Sequence, residues 1–257
     1  MKNVGICVNL QKDPELKITE NIIKVLKKFN VSGEVINDRK NYDFIISLGG
    51  DGTFLATARS FFDTPIVGIN LGNLGFLSEI DKDNMESELK RILDGDFRIE
   101  ERFLLESEIF GKKYYALNDF VINRGCITRL LNLELYFNNK FIDNYVADGI
   151  IVSTPTGSTA YSLSAGGPIV EPNLDVFVIS PICAHSLHQR PVIISSDTEV
   201  KIISKMSGIL VMADGQEVND SESLKEIIVR CSDKKVKVIK NTKNCFFDTV
   251  RNKFHIN

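Results

Sequence analysis

The segment that most limits what this chain can fold into is Leu48-Gly49-Gly50-Asp51-Gly52-Thr53. An apolar run, Phe44-Ile45-Ile46-Ser47-Leu48, precedes it and reads as a buried strand. Phe54-Leu55-Ala56-Thr57-Ala58-Arg59 follows and reads as the start of a helix. Three glycines and one carboxylate therefore stand where a strand gives way to a helix. Open α/β sheets bind ligands at the carboxyl ends of their strands. A helix N-terminus offers free N–H groups to an anion, and glycines let a phosphate approach the backbone. Asp51 repels phosphate, so it needs a task of its own: holding Mg²⁺, or taking a proton from an attacking hydroxyl. The same residues also fit a plain turn, since Asp-Gly is a hairpin signal. The helical character of the next residues weighs against a hairpin, which needs a second strand there.

The flanking sequence alternates strand and helix. Val4, Ile6 and Val8 alternate in a first strand, and Pro14 suits the first turn of a helix. Ile18, Ile22, Leu26 and Phe29 then recur at helical spacing. Further strands are expected at 31–36, 42–48 and 65–69. Asn70-Leu71-Gly72-Asn73-Leu74-Gly75-Phe76 is a second glycine-punctuated loop at a strand's carboxyl end. Asn84 is expected to cap a helix that turns Met85, Leu89, Ile92 and Leu93 inward and ends at Gly95. Such alternation means a parallel sheet covered by helices.

From Phe97 onward the pattern changes. Strand-like runs at 103–110, 114–123, 130–137, 140–145, 149–153, 176–180, 192–195, 199–204, 209–213, 225–230 and 235–240 enclose one short helix near 158–164. Phe246, Phe247, Val250 and Phe254 share one face of a closing helix, which is expected to return to the first domain. The expected fold class is an α/β N-terminal domain with a parallel sheet plus a β-rich C-terminal domain. The boundaries are 1–97 with 241–257, and 98–240.

Composition narrows the function classes. Of 257 residues, 43% are apolar and 25% charged, an ordinary globular balance. The formal charge of −3 argues against a nucleic-acid surface. No apolar run approaches the ~20 residues of a membrane span, and the N-terminus enters a strand directly, unlike a signal peptide. Cys7, Cys126, Cys183, Cys231 and Cys245 are scattered with no Cys-x-x-Cys pair, as expected of free thiols in a reducing cytoplasm. His185 and His188 have no third ligand nearby and read as polar loop residues.

A second constellation runs from Ala147 to Pro168. It contains Asp148-Gly149, a strand at 149–153, and then Thr154-Pro155-Thr156-Gly157-Ser158-Thr159-Ala160-Tyr161-Ser162, six hydroxyl residues in nine. Small hydroxyls and glycines near a helix start can bond phosphate or ribose oxygens, and Tyr161 could stack on a base. Equally, a Ser/Thr/Gly loop can merely cap a helix. Asn118-Asp119, ending an apolar run, could bind sugar hydroxyls or make a turn. There is no Gly-x-Ser-x-Gly elbow. The P-loop and Gly-x-Gly-x-x-Gly patterns are missing too.

Taken together these motifs resemble the NAD kinase family, whose glycine-aspartate turn has relatives in diacylglycerol kinases and phosphofructokinases. The resemblance rests on Gly49-Gly50-Asp51-Gly52-Thr53, on the loop from Asn70 to Leu77, on Asn118-Asp119, on Asp148–Pro168, on Pro181, His185, Arg190 and Pro191, and on Phe246, Arg251, Asn252, Lys253 and Phe254. It implies transfer of the ATP γ-phosphoryl group to the 2′-hydroxyl of the adenosine ribose of NAD, with Mg²⁺ or another divalent metal as cofactor. It implies a nucleotide-binding first domain and an NAD-binding second one, in a homodimer or homotetramer; charge and apolar-run length already point to no nucleic-acid or membrane partner. Asp51 would be the catalytic residue, as base or through Mg²⁺. Gly50, Gly52, Phe76, Asn118, Asp119, Asp148, Ser158, Thr159, Ala160, Tyr161, Ser162, Leu163, Ser164 and Gln216 would contact substrate or nucleotide. Gly49, Thr53, Asn70, Arg129 and Val146 are further positions of the same sites. Three rivals remain at this point: a lipid kinase sharing the glycine turn, a module that binds NAD(P) without turnover, and a two-domain protein whose glycines are only turns.

Overall fold

The computed structural model of the chain describes residues 1–38, 40–72, 75–125, 129–186, 188–206, 208–218, 224–242 and 245–254. Asn73, Leu74 and Cys126 lie outside the described residues. The chain divides into two compact units, Met1–Glu101 with Lys235–Asn257, and Arg102–Lys234.

In the first unit, β1 (Asn3–Val8), β2 (Ser32–Val35), β3 (Phe44–Gly49) and β4 (Ile66–Asn70) form a parallel sheet in the order β2-β1-β3-β4. β3 and β4 are buried at every residue. Covered on both faces, they read as unbroken apolar runs rather than as an alternation. Parallel neighbours need crossovers, and α1 (Lys17–Lys28) and α2 (Asp51–Ser60) supply them. β5 (Ile80–Asp81) extends the sheet beside β4, and α3 (Met85–Leu93) follows. Ile22, Val25, Leu26, Leu89 and Ile92 from the helices share a core with Val4, Ile6, Phe44, Ile46 and Ile69 of the strands.

Two helix starts differ from the sequence expectation. Pro14 lies in the turn before α1, not in its first turn, and Leu16 precedes the helix in a left-handed conformation, φ 54°. The Asp13 carboxylate opens α1 instead. It accepts the N–H groups of Ile18 (3.2 Å) and Thr19 (2.9 Å) and the Thr19 hydroxyl (2.7 Å). Asn84 makes no side-chain cap at α3. Asp81 accepts the Asp83 N–H at 3.2 Å and starts a short 3-10 turn, Lys82–Asn84, that leads into the helix.

The second unit is antiparallel. β6 (Arg98–Ile109, entering from the first unit) pairs with β7 (Lys112–Ala116). β8 (Asp119–Asn123), β9 (Leu131–Phe137), β10 (Lys140–Ala147) and β11 (Gly149–Ser153) follow. A 3-10 turn, Thr156–Thr159, and the single turn α4 (Tyr161–Ser164) come after β11. Then come β12 (Val176–Ile182), β13 (Val192–Ser195), β14 (Val200–Ser204), β15 (Leu210–Ala213), β16 (Gln216–Glu217) and β17 (Glu226–Lys240). One sheet runs β13-β12-β11-β8-β15-β16, and β10-β9-β14-β17 forms another. Phe120, Ile150, Val152, Phe177 and Val211 of the first meet Leu133, Leu135, Val200, Ile202 and Val229 of the second in one core. This is a sandwich in which alternate residues face inward.

The expected strand at 114–123 is broken at Leu117 and Asn118. The two runs expected at 225–230 and 235–240 are the single strand β17, because the polar residues 233–235 between them lie on an exposed stretch of strand rather than in a loop. Residues 235–240 of β17 belong to the first unit, where Val238 pairs in parallel with Ile66 of β4. The closing helix α5 (Phe246–Phe254) also belongs to the first unit. Its Phe246 and Phe254 rings stand 6.4 and 6.1 Å from the ring of Phe76.

Candidate active site

At the carboxyl end of β3 the chain turns at Gly50, whose extended backbone caps α2 with no side chain on the helix N-terminus. Asp51 then points its carboxylate into the loop after β4. The N–H of Phe76 donates to Oδ2 at 2.9 Å, and those of Leu77 and Ser78 donate to Oδ1 at 3.2 Å each. A Cβ on Gly75 would lie 1.9 Å from Asp51 Oδ1, so only glycine fits there. The N–H of Leu71 closes back on the Gly49 carbonyl at 2.7 Å. The two glycine loops are thus one construction, bound through the carboxylate. Asn70 is buried and accepts the Gly72 N–H at 3.1 Å. Thr53 accepts a bond from the Asn9 amide at 3.2 Å. Gly52 has open space beside it.

A cavity of about 310 Å³ adjoins Gly75 and Phe76. Glu79, Asp81, Glu88 and Asp248 line it, which makes it a poor host for phosphate. Among the described residues no group of three or more His, Cys, Asp or Glu could hold a metal by itself. Asp51 is a single carboxylate whose Oδ2 accepts one N–H bond among the described residues, leaving acceptor capacity. That fits Mg²⁺, which commonly takes one or two carboxylates together with substrate phosphates.

The second unit builds its own polar site from the break between β7 and β8. Asp214, at φ 48°, turns its carboxylate onto this break. It accepts the N–H groups of Leu117 (3.0 Å), Asn118 (2.7 Å) and Asp119 (3.4 Å). These bonds replace a strand partner and explain why the run does not continue as one strand. The Thr154 hydroxyl donates to the Leu117 carbonyl at 2.6 Å, and the Thr154 N–H to the Asn118 carbonyl at 2.9 Å. A Cβ on Gly157 would sit 2.1 Å from that same Asn118 carbonyl. So the hydroxyl-rich run and the Asn118-Asp119 turn, far apart in sequence, are packed together. Asp119 is 4% exposed. Burial first, and the charge of Asp214 second, push its carboxyl up to about 7.

The predicted site residues divide by what their side chains touch. Ser158 and Ser162 are fully buried. Ser158 donates to the Pro155 carbonyl at 2.7 Å and accepts the Val170 N–H at 3.0 Å; Ser162 pairs with Ser180 at 2.9 Å. Their hydroxyls are used up in holding the turn. Thr159, Ala160 and Leu163 are half-buried, and Tyr161 and Ser164 are exposed on the same short segment. Asp148 pairs with Arg124 at 3.2 Å. Val146 is half-buried on β10, while Arg129 and Gln216 are exposed. The sequence reading missed Asp214. Its signal was the Asp214-Gly215 dipeptide directly after a strand run.

Comparison with known proteins decides the family. Residues 11–97 match the model of the ATP-NAD kinase N-terminal domain and residues 117–241 that of the ATP-NAD kinase C-terminal domain. The chain belongs to the ATP-NAD kinase family. The NAD kinase of Thermoanaerobacter sp. (strain X514) is 38% identical over 98% of this chain and 99% of its own length. That of Caldicellulosiruptor saccharolyticus is 40% identical over 97% and 98%. Among solved structures, yeast NADH kinase complexed with NADH superposes with a TM-score of 0.89 at 26% identity, covering 100% of this chain and 88% of that one. The NAD kinase from Archaeoglobus fulgidus in complex with ATP gives 0.82 at 29% identity, covering 99% and 97%. The activity is therefore that of an NAD kinase, a phosphotransferase that moves the γ-phosphoryl group of ATP onto the 2′-hydroxyl of the adenosine ribose of NAD to form NADP.

Two outcomes follow from this geometry. Gly75→Ala forces Asp51 and its loop apart, so NADP formation should fall by about 10²-fold, the scale of an ångström-level misplacement; steady-state kinetics on the folded variant measures it. Asp119 has a folded pKa above its unfolded value. Its contribution to stability is present in full below the unfolded pKa and is lost as pH rises through about 7. Thermal unfolding at about pH 5.5 and about pH 8 should show Asp119→Asn gaining on the wild type at the higher pH. An equal difference at both would mean that Asp119 does not titrate in this range.

Proposed function

We propose that the reaction runs with Asp51 at the 2′-hydroxyl of NAD, as proton acceptor or as the protein's carboxylate on Mg²⁺. The observation that carries this is the fixed position of that carboxylate, held by three N–H donors at the strand end where two glycine turns leave the backbone bare. Phosphoryl transfer needs positioning and charge neutralisation more than covalent help. Bound Mg²⁺ would neutralise charge on the phosphates. Gly50 and Gly52 lie against the phosphoryl-bearing part of the substrates, with Gly49, Thr53 and Asn70 shaping the turn and Phe76 beside it.

In the second domain, Asn118 and Asp119 take the sugar hydroxyls of NAD. A carboxyl with pKa about 7 can be donor or acceptor to a hydroxyl at neutral pH. Asp148, Thr159, Ala160, Tyr161, Leu163 and Ser164 line the NAD pocket, with Gln216 as a further contact and Arg129 and Val146 at its margin. Ser158 and Ser162 hold its shape. The first unit, Met1–Glu101 with Lys235–Asn257, serves nucleotide binding, and the second, Arg102–Lys234, serves NAD. The ATP bound by the archaeal relative and the NADH bound by the yeast one support both substrates.

We place the enzyme in the cytoplasm as a homodimer or homotetramer. Free thiols at Cys7, Cys183 and Cys245 fit a reducing compartment. Exposed Phe141 and Ile142 on β10 and Ile193 on β13 offer apolar surface for assembly. No helix among the described residues is long and apolar enough to cross a membrane.

The test is to incubate the protein with ATP, Mg²⁺ and NAD and to detect NADP with a coupled dehydrogenase. Asp51→Asn should lower kcat by about 10²-fold or more, the usual scale for lost acid–base help. Near-wild-type turnover of that variant, correctly folded, would remove Asp51 from the chemistry. Chelation by EDTA should abolish NADP formation and added Mg²⁺ restore it; activity that survives chelation would refute the metal requirement.

A further inference from the structure

Lys12 stands in the turn after β1, and its position is set by the same strand ends that carry the glycine loops. The Asn9 N–H donates to the Leu48 carbonyl at 2.9 Å, tying the start of this turn to the end of β3. The N–H groups of Lys12 and Asp13 both return to the Asn9 carbonyl at 3.0 Å, and that of Gln11 donates to Asn9 Oδ1 at 3.0 Å. From this pinned turn the Lys12 side chain reaches over both glycine loops. A Cβ on Gly50 would lie 3.1 Å from Lys12 Nζ, and a Cβ on Gly72 would lie 3.2 Å from the same atom. The ammonium therefore occupies the space that side chains at Gly50 and Gly72 would otherwise restrict.

Neither nearby carboxylate pairs with Lys12 among the described residues. Asp13 caps α1, and Asp51 accepts the N–H groups of residues 76–78. Among the described residues Lys12 makes no ion pair or side-chain hydrogen bond. An exposed lysine is ordinarily just a solvated charge. This one is held at the single place where a net-negative chain, with a carboxylate in the turn, has to receive a polyphosphate. Lysine suits such a task as a compact point charge with three donors.

We propose that Lys12 is a substrate-contacting residue of the transfer, pairing its ammonium with the polyphosphate of ATP over Gly50 and Gly72. This rests on the reading that the glycine turns receive the donor's phosphates. In the transfer the bond from the γ-phosphorus to the β,γ-bridging oxygen breaks. The 2′-oxygen of NAD forms the new bond, and its proton leaves to a base. ADP departs with the electron pair of the broken bond. Lys12 offsets the charge that builds on the phosphate oxygens.

The test compares wild type, Lys12→Met and Lys12→Arg. Thermal unfolding should be unchanged in both variants, since the side chain is exposed. Calorimetric titration with ATP and Mg²⁺ should show binding weakened by about 10-fold to 100-fold in Lys12→Met, the worth of one charge-assisted bond. Lys12→Arg should keep most of the affinity, and binding of NAD should stay within about twofold in both. ATP affinity should fall less steeply with added KCl in Lys12→Met than in wild type, because one charge contact is gone. A merely structural lysine would not move that salt slope. Kinetically, kcat/KM for ATP should drop in step while KM for NAD holds. Unchanged ATP affinity in Lys12→Met would overturn the proposal, and so would a loss of NAD affinity in place of ATP affinity. If wild type binds ATP, loses it in Lys12→Met and yet makes no NADP, the phosphate contact stands and the catalytic reading falls. If wild type makes NADP and Lys12→Met matches it in ATP binding, this inference alone falls.

Discussion

The candidate active site depends on one carboxylate accepting the N–H groups of three successive residues. Asp51 leaves the helix start after β3 and takes the N–H groups of Phe76, Leu77 and Ser78. Hydrogen bonds to a charged group contribute about 1.5–3 kcal/mol each. Fixing one residue of backbone costs about 1–2 kcal/mol. The three bonds together are of the size needed to order the three residues that donate them, Phe76, Leu77 and Ser78. Phe76 in turn receives the aromatic side chains of α5. The strand end, residues 76–78 and the seat of the closing helix are thus linked through one side chain, and Gly75 is the residue that makes room for it.

The second unit uses the same device at another place. Asp214 accepts the N–H groups of Leu117, Asn118 and Asp119 and so breaks an apolar run that would otherwise continue as one strand. The consequence differs because a second carboxylate sits beside it. Asp119 is buried and near Asp214, so its carboxyl rises to about 7, whereas the N–H groups that satisfy Asp214 are spent on shaping the turn. One aspartate sets geometry and its neighbour is left with a proton that comes and goes near neutral pH. The assignment of sugar contact to Asp119 draws on that division of labour.

Legibility in the sequence followed the range of the interactions. β3 and β4 were visible because burial on both faces makes unbroken apolar runs, a purely local signal. The hydroxyl-rich segment was visible as composition. The bonds that turn these stretches into sites join residues 25 and 96 positions apart, and no spacing rule records them. Lys12 is unreadable for the same reason: it is one lysine among many until the turn after β1 is tied to β3. Locally, Pro14 and Asp13 competed for the start of α1. The carboxylate prevails because it answers the unpaired N–H groups of the first turn, which a proline ring cannot do. Ser158 and Ser162 show the opposite limit. Their chemistry suggested ligand contact, but burial commits their hydroxyls to the fold, and burial is a property of the whole packing.

These commitments bear on the role proposed for Asp51 in the transfer. A carboxylate has two acceptor oxygens; an amide of the same shape has one, and its NH₂ would face the N–H of Phe76 or those of Leu77 and Ser78. Replacing Asp51 by Asn therefore removes a charge and also opposes donors to donors in the loop. The loss of turnover then has two sources, one electrostatic and one positional. They part in what else they disturb. A positional loss must also loosen the loop around Gly75 and the packing of Phe76 against α5, and it must appear in Gly75→Ala, where the charge of Asp51 is intact. An electrostatic loss leaves the loop ordered. The same aspartate can both build the site and act in it because its two oxygens are unequally used: Oδ1 takes two backbone donors, and Oδ2 takes one and retains capacity for a metal or a proton.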